Sequence, residues 1–269
     1  MCLILVAWRV HPDYPLVVAA NRDEFFSRPT ATLNYWPHSS PNTPEVLAGR
    51  DLEAGGTWMG IRAGAGPRRF AALTNYRDPA RNQPDAPSRG HLVADFLLGN
   101  EPPAAYLERI APISQQCNGF NLLLGDDKNL WWFSNMGGGK TGENSRLLEP
   151  GVYGVSNHLL DTPWPKVGAG KTALAQAITR LPDDRGLFEL LGDDAIHPDE
   201  SLPATGVSLA WERMLSSAFV KADDDALNYG TRSSTIAWFG SDGTTVMDEQ
   251  TWLPGAQRGP RSRFRSSGN

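Results

Sequence analysis

Two apolar runs open the chain, Cys2-Leu-Ile-Leu-Val-Ala-Trp8 and Leu16-Val-Val-Ala-Ala20, with the polar, proline-bearing break Arg9–Pro15 between them. Runs of this length, rich in branched residues and bounded by turn formers, predict a hairpin of two buried strands. In an antiparallel pair the residue numbers of partners sum to a constant. If Trp8 faces Leu16 that sum is 24, and Cys2 then faces Arg22. The polar tetrapeptide Asn21-Arg22-Asp23-Glu24 therefore lies alongside the start of the first strand.

The same patterning continues downstream. Thr57–Arg62 and Arg69–Tyr76 flank a Gly- and Pro-rich turn over 63–68 and predict a second hairpin. The proline-rich stretch Asn75–Pro87 reads as a loop. Helices are expected over His91–Leu98, stopped by Gly99, and over Pro102–Ile110 with Pro in the first turn. Phe120–Leu124 and Leu130–Phe133 bracket the turn Gly125–Asn129, and Gly151–Asn157 reads as another strand. Trp164–Leu181, Gly186–Leu191 and Ser208–Val220 have helical spacing. Ser233–Phe239 and Thr244–Met247 flank an Asp-Gly turn. Strand pairs joined by tight turns, with helices in separate blocks, imply an α+β fold of antiparallel sheets with helical layers. Beyond residue 252 the chain is basic and rich in Gly, Pro and Ser, and is expected to be a disordered tail, 253–269, on one domain spanning 1–252.

Composition narrows the partners. The 269 residues carry a net charge of −5, which disfavours nucleic acid as the main partner. No apolar run approaches the length of a membrane span, and the first apolar run has no basic segment before it, so a cytoplasmic protein is expected. Two cysteines exclude a disulfide scaffold. The five histidines show no metal-ligand spacing, so no metal site is expected. Gly168-Ala-Gly-Lys-Thr172 echoes a phosphate-binding loop but lacks its first glycine and its leading strand.

Cys2 is open to two readings. One is a buried structural cysteine. The other follows from removal of Met1, which would leave a thiol and a free α-amine on one residue, with the amine as base for its own side chain. Arg22 alongside would favour the thiolate, and Asp23 could hold the amine. Asn75 and Asn157, both at strand ends, are candidate oxyanion donors.

These segments resemble the NRDE family, also called the transport-and-Golgi-organisation family. The resemblance is carried by Asn21–Glu24, Met1–Ile4, Phe25–Pro29, Ala48–Asp51, Gly55–Gly60, Ala72–Arg77, Ser88–Gly90, Gly154–Asn157 and Tyr229–Thr235. That family in turn resembles N-terminal-nucleophile hydrolases of the choloylglycine hydrolase type. The resemblance implies a four-layer αββα sandwich with Cys2 as nucleophile, Asp23 as its aspartate, and Asn75 and Asn157 at the oxyanion. Arg232 matches the late active-site arginine. The arginine beside the nucleophile has Arg22 as its nearest match, because the strict spacing falls on Ala20. The implied activity is a cysteine amidohydrolase or acyltransferase acting on non-peptide C–N bonds of a small acyl or amide compound, with no cofactor required. The alternative implied by the resemblance is binding and trafficking of haem, acyl-CoA or lipid without turnover, with His158, His91 or Cys2 as haem ligand.

Overall fold

The computed structural model describes residues 2–37, 44–63, 66–137, 144–222 and 227–267. Its first hairpin is β1 (Cys2–Trp8) and β2 (Leu16–Phe25), antiparallel, with Trp8 opposite Leu16 and Cys2 opposite Arg22. The register is the expected one because a slip by one residue would turn every buried side chain to the opposite face. Both faces of these strands are buried: Ile4, Val6, Trp8, Val18 and Ala20 join one apolar core, while Leu3, Leu5, Ala7, Val17 and Ala19 join another.

Two antiparallel sheets result. One contains β1, β2, β10 (Gly151–Val155), β11 (Tyr229–Phe239), β12 (Thr245–Leu253) and β13 (Gln257–Ser266), in the order β10-β1-β2-β11-β12-β13. The other runs β3 (Thr30–Tyr35), β4 (Val46–Asp51), β5 (Met59–Arg62), β6 (Arg69–Asn75), β7 (Phe120–Asp126), β8 (Leu130–Ser134) and β9 (Ser145–Leu147) in chain order. The core between the sheets takes Ile4, Val6 and Val18 from the first and Ile61, Phe70 and Leu123 from the second.

Helices cover the other faces. α1 (Gly90–Leu98) and α2 (Pro103–Ser114) supply Val93, Phe96 and Ile110 to a core shared with Ala71, Leu122 and Phe133 of the second sheet. α3 (Pro165–Ala177) and α4 (Arg185–Leu191) supply Val167, Leu174 and Leu187 to a core shared with Leu5, Val17 and Ile236 of the first. The fold is thus mixed α+β with two antiparallel sheets and few helices. No helix among the described residues is long and apolar enough to cross a membrane.

Several local expectations change. The helix expected over Ser208–Val220 is the shorter α5 (Leu209–Met214), capped by Ser208, whose hydroxyl accepts from the Trp211 amide. The tip of the turn at 64–65 lies outside the described residues. The phosphate-loop echo is interior to α3, so its amides are committed to helix hydrogen bonds. The basic tail is corrected most. Gln257–Ser266 is strand β13, paired along β12. Its arginines are held: Arg261 and Arg263 both donate to the buried Asp248 carboxylate, and Arg263 also pairs with Asp184. A fully buried carboxylate needs such partners, and the basic strand supplies them.

A close approach ties two motif segments together. A Cβ on Gly56 would stand 2.4 Å from the carbonyl carbon of Gly90. Only glycine there lets Gly55-Gly56-Thr57 lie against Ser88-Arg89-Gly90 at the start of α1.

Candidate active site

The alternation of a strand divides the tetrapeptide on β2 between two faces. Arg22 shares the inter-sheet face with its ladder partner Cys2. Asn21 points to the helical side, where its Nδ2 donates to the carbonyls of Leu191 and Ala218, and its Oδ1 accepts from Ser234 Oγ at 2.7 Å. Asn21 is therefore a docking residue between sheet and helices. Asp23, buried, accepts from Thr231 Oγ1 at 2.7 Å, and that hydroxyl accepts in turn from the Val220 amide.

Cys2, Arg22, Asp23, Asn75 and Arg232 line one cavity of about 570 Å³ between the sheets, together with Trp58, Arg89, Glu249 and Trp252. That volume suits a small organic ligand. Cys2 is 7% exposed, and its carbonyl accepts from Ser156 Oγ at 3.0 Å. Burial pushes its thiol up from the ordinary value; Asp23 adds to this, and Arg22 opposes it. Burial also pushes the Asp23 and Glu249 carboxyls up.

The two asparagines play different parts. Asn75 ends β6, lines the cavity, and its side-chain amide makes no hydrogen bond among the described residues. Asn157, fully buried, does not line that cavity. Its Nδ2 donates to the Asn75 carbonyl at 2.9 Å, and its own carbonyl accepts from the Arg77 amide. The geometry makes Asn157 a brace for Asn75. Arg232 sits at a bulge in β11, between Thr231 and Ser233. The bulge turns it out of the ladder, and its guanidinium donates to the carbonyls of Phe25 and Arg28, fastening the chain that follows β2.

Four charged residues that sequence reasoning did not single out as site residues are buried near this site. Arg77 pairs with Glu212, both buried, across 135 residues of chain. Glu249 accepts from the Leu33 amide at 2.9 Å. Lys166 of α3 donates to the Leu215 carbonyl at 2.8 Å. No local pattern marks them, because the partners that hold them lie far away in sequence.

Lys166 gives a pH signature. Burial lowers its pKa to about 8, against the pull of Asp23. Between that value and about 10.5 in the unfolded chain, the unfolded state holds more protons, so stability rises with pH. Relative to Lys166→Met, the wild type should gain about 2 kcal/mol between pH ~7 and ~9.5, at ~1.36 kcal/mol per unit. Urea denaturation at the two pH values measures it.

Among the described residues, no cluster of three or more His, Cys, Asp or Glu side chains could hold a metal. Of the three residues considered as haem ligands, Cys2 lines the cavity; His91 and His158 do not. His158 instead bonds Thr162 Oγ1 through Nδ1 and stacks near Tyr76.

Comparison with known proteins adds a further finding. The family model described as Transport and Golgi organisation 2 matches residues 1–254. A Bos taurus protein named Transport and Golgi organization protein 2 homolog is 35% identical, with 94% of each chain covered. A Homo sapiens protein of the same name is 34% identical, again with 94% of each chain covered. The Drosophila melanogaster Transport and Golgi organization protein 2 is 28% identical, covering 93% of this chain and 92% of its own.

Proposed function

The chain belongs to the Transport and Golgi organisation 2 family, and from that premise we propose that it is a Cys2-dependent amide hydrolase or acyltransferase with the αββα fold of N-terminal-nucleophile hydrolases. The single observation that carries the reading is the placement of Cys2, Arg22, Asp23 and Asn75 around one cavity. The helix pairs packed on the outer face of each sheet support the fold assignment.

In this reading removal of Met1 exposes the α-amine of Cys2, and Asp23 holds it. The neutral amine takes the thiol proton as Sγ attacks the carbonyl carbon, forming a C–S bond. Asn75 donates to the oxyanion, held in place by Asn157. The C–N bond then breaks, and the amine passes its proton to the leaving nitrogen. Water, or another acceptor, attacks the thioester, releasing the acyl group and returning the thiol. Arg22 and Arg232 hold positive charge at the cavity, and Arg232 fastens the chain beyond β2. A cytoplasmic location fits a reactive thiol that must stay reduced.

One observation favours a second reading, ligand binding without turnover. Burial raises the Cys2 thiol, which keeps it protonated and poorly nucleophilic. Haem bound in this cavity would have Cys2 beside it, able to ligate only as the thiolate. Mass analysis of the purified protein with a cysteine-directed acyl probe separates the two. The hydrolase reading expects a chain beginning at Cys2 and one adduct, on Cys2 rather than Cys117. A retained Met1, or a Soret shift with haemin and no adduct, would overturn it.

A further inference from the structure

A threonine hydroxyl has a single hydrogen to give. Thr231 sits opposite Asp23 in the ladder between β2 and β11, with its Oγ1 2.7 Å from Asp23 Oδ1. The same Oγ1 accepts from the Val220 amide at 2.8 Å, and the Thr231 amide donates to the Val220 carbonyl at 2.9 Å. Among the described residues Asp23 is the only acceptor that this hydroxyl bonds. Its hydrogen therefore points at Asp23 Oδ1, and that oxygen is held as an acceptor.

The bulge at Arg232 makes the contact possible. Plain alternation would put Thr231 and Ser233 on one face of β11. The extra residue turns them apart, so Thr231 meets Asp23 while Ser233 pairs with Arg22. Val220 is set from outside the sheet. Lys166 Nζ grips the Leu215 carbonyl at 2.8 Å, Asn21 Nδ2 the Ala218 carbonyl at 2.8 Å, and the Phe219 amide donates to the Asp193 carbonyl at 2.7 Å. Thr231 is buried and does not line the central cavity, so it acts there only through Asp23.

We infer that Thr231 is a positioning residue for the cavity: its hydroxyl fixes one oxygen of the Asp23 carboxyl and keeps that group an ionised acceptor. The inference rests on the hydrolase reading only in making Asp23 the holder of the Cys2 α-amine.

Burial pushes the Asp23 carboxyl up toward the neutral acid, and a hydrogen bond to the charged form opposes this. The charged and titratable groups that face Asp23 are the amino terminus, Arg22 on its own strand, Cys2 of β1, Arg77 beyond β6, Lys166 of α3 and Tyr229 of β11. Below pH ~7 each keeps one charge state. Lys166 titrates at about 8, burial holds Cys2 and Tyr229 neutral, the arginines stay charged, and an α-amine titrates near ~7.7–8.0.

Thr231→Val keeps the shape of the side chain and removes its hydroxyl. The folded carboxyl then rises further above its unfolded value of ~3.9. The folded variant binds more protons than the wild type, so it loses more stability as pH rises. In urea denaturation the penalty should grow at least about tenfold in the folding equilibrium constant from pH ~4.5 to ~7, the worth of a hydrogen bond to a charged group. Thr231→Ser keeps the donor and should show no such growth. In an Asp23→Asn background the Thr231→Val penalty should be equal at the two pH values. A penalty flat with pH, or one that still grows in the Asp23→Asn background, would overturn the inference. Should Thr231→Val not fold, NMR of the unsubstituted chain with isotope-labelled aspartate carboxyls decides. The Asp23 signal, identified by its loss in Asp23→Asn, is expected to be ionised at pH ~7, and a protonated carboxyl there would refute the claim. Because no turnover is read, absence of the Cys2 adduct in the labelling experiment would remove the hydrolase reading and leave this one standing.

Discussion

Replacing Glu212 with alanine is expected to destabilise the protein by about 3–5 kcal/mol, the cost of stranding a buried charge. The Arg77 guanidinium is buried, over the ring of Trp164 at 4.9 Å, and Glu212 is its anionic partner. Glu212 also accepts from the Thr205 amide and hydroxyl at 2.8 and 2.6 Å, so the substitution orphans two further donors. Replacing both charges, as Arg77→Met/Glu212→Leu, should cost clearly less, because no unpaired ion is left behind. Urea denaturation of the single and double variants decides this. Equal losses would mean that the ion pair is not what holds α5 to the end of β6.

Asn75→Ala should lower kcat by about 100- to 1,000-fold with little change in KM, the signature of a donor that acts on the developing oxyanion. Its amide is free toward the cavity, while its backbone is pinned by Asn157. Asn157→Ala should lower kcat less, since it disturbs a position and removes no donor. Steady-state kinetics on an amide identified by Cys2 labelling would measure both. A larger loss at Asn157 than at Asn75 would reverse their assigned parts.

The pairing of Cys2 with Arg22 was legible because two apolar runs and a proline-bearing break leave one sensible ladder sum. The helices at α1 and α2 were legible from spacing and from Gly and Pro at their ends. β3 and β4 were not, because Thr30–Tyr35 and Val46–Asp51 are short and interrupted by polar residues. β13 was read as a tail because its arginines, glycine and proline carry no apolar pattern. What orders it is the carboxylate pair of Asp248 and Asp184, distant in sequence. Lys166, Glu212 and Glu249 escaped for the same reason: burial of a lone charge is decided by partners that no local window contains. Cys2, Arg22, Asp23 and Asn75 drew attention because they stand at or near the ends of apolar runs, and Arg232 through the family resemblance alone; the fold brings all five to one cavity. The separation of Asn157 from the cavity needed the three-dimensional arrangement.

The division of the tetrapeptide on β2 gives its positions opposite parity. Arg22 and Glu24 speak to the cavity and Asn21 to the helical layer, while Asp23 is bonded to Thr231 and still lines the cavity. Substitutions at Arg22 or Glu24 should therefore change what is held between the sheets, whereas those at Asn21 should loosen α4 and the chain near Ala218. A motif written as four consecutive letters is, in space, more than one message, and a variant is best interpreted by what the side chain at that position meets.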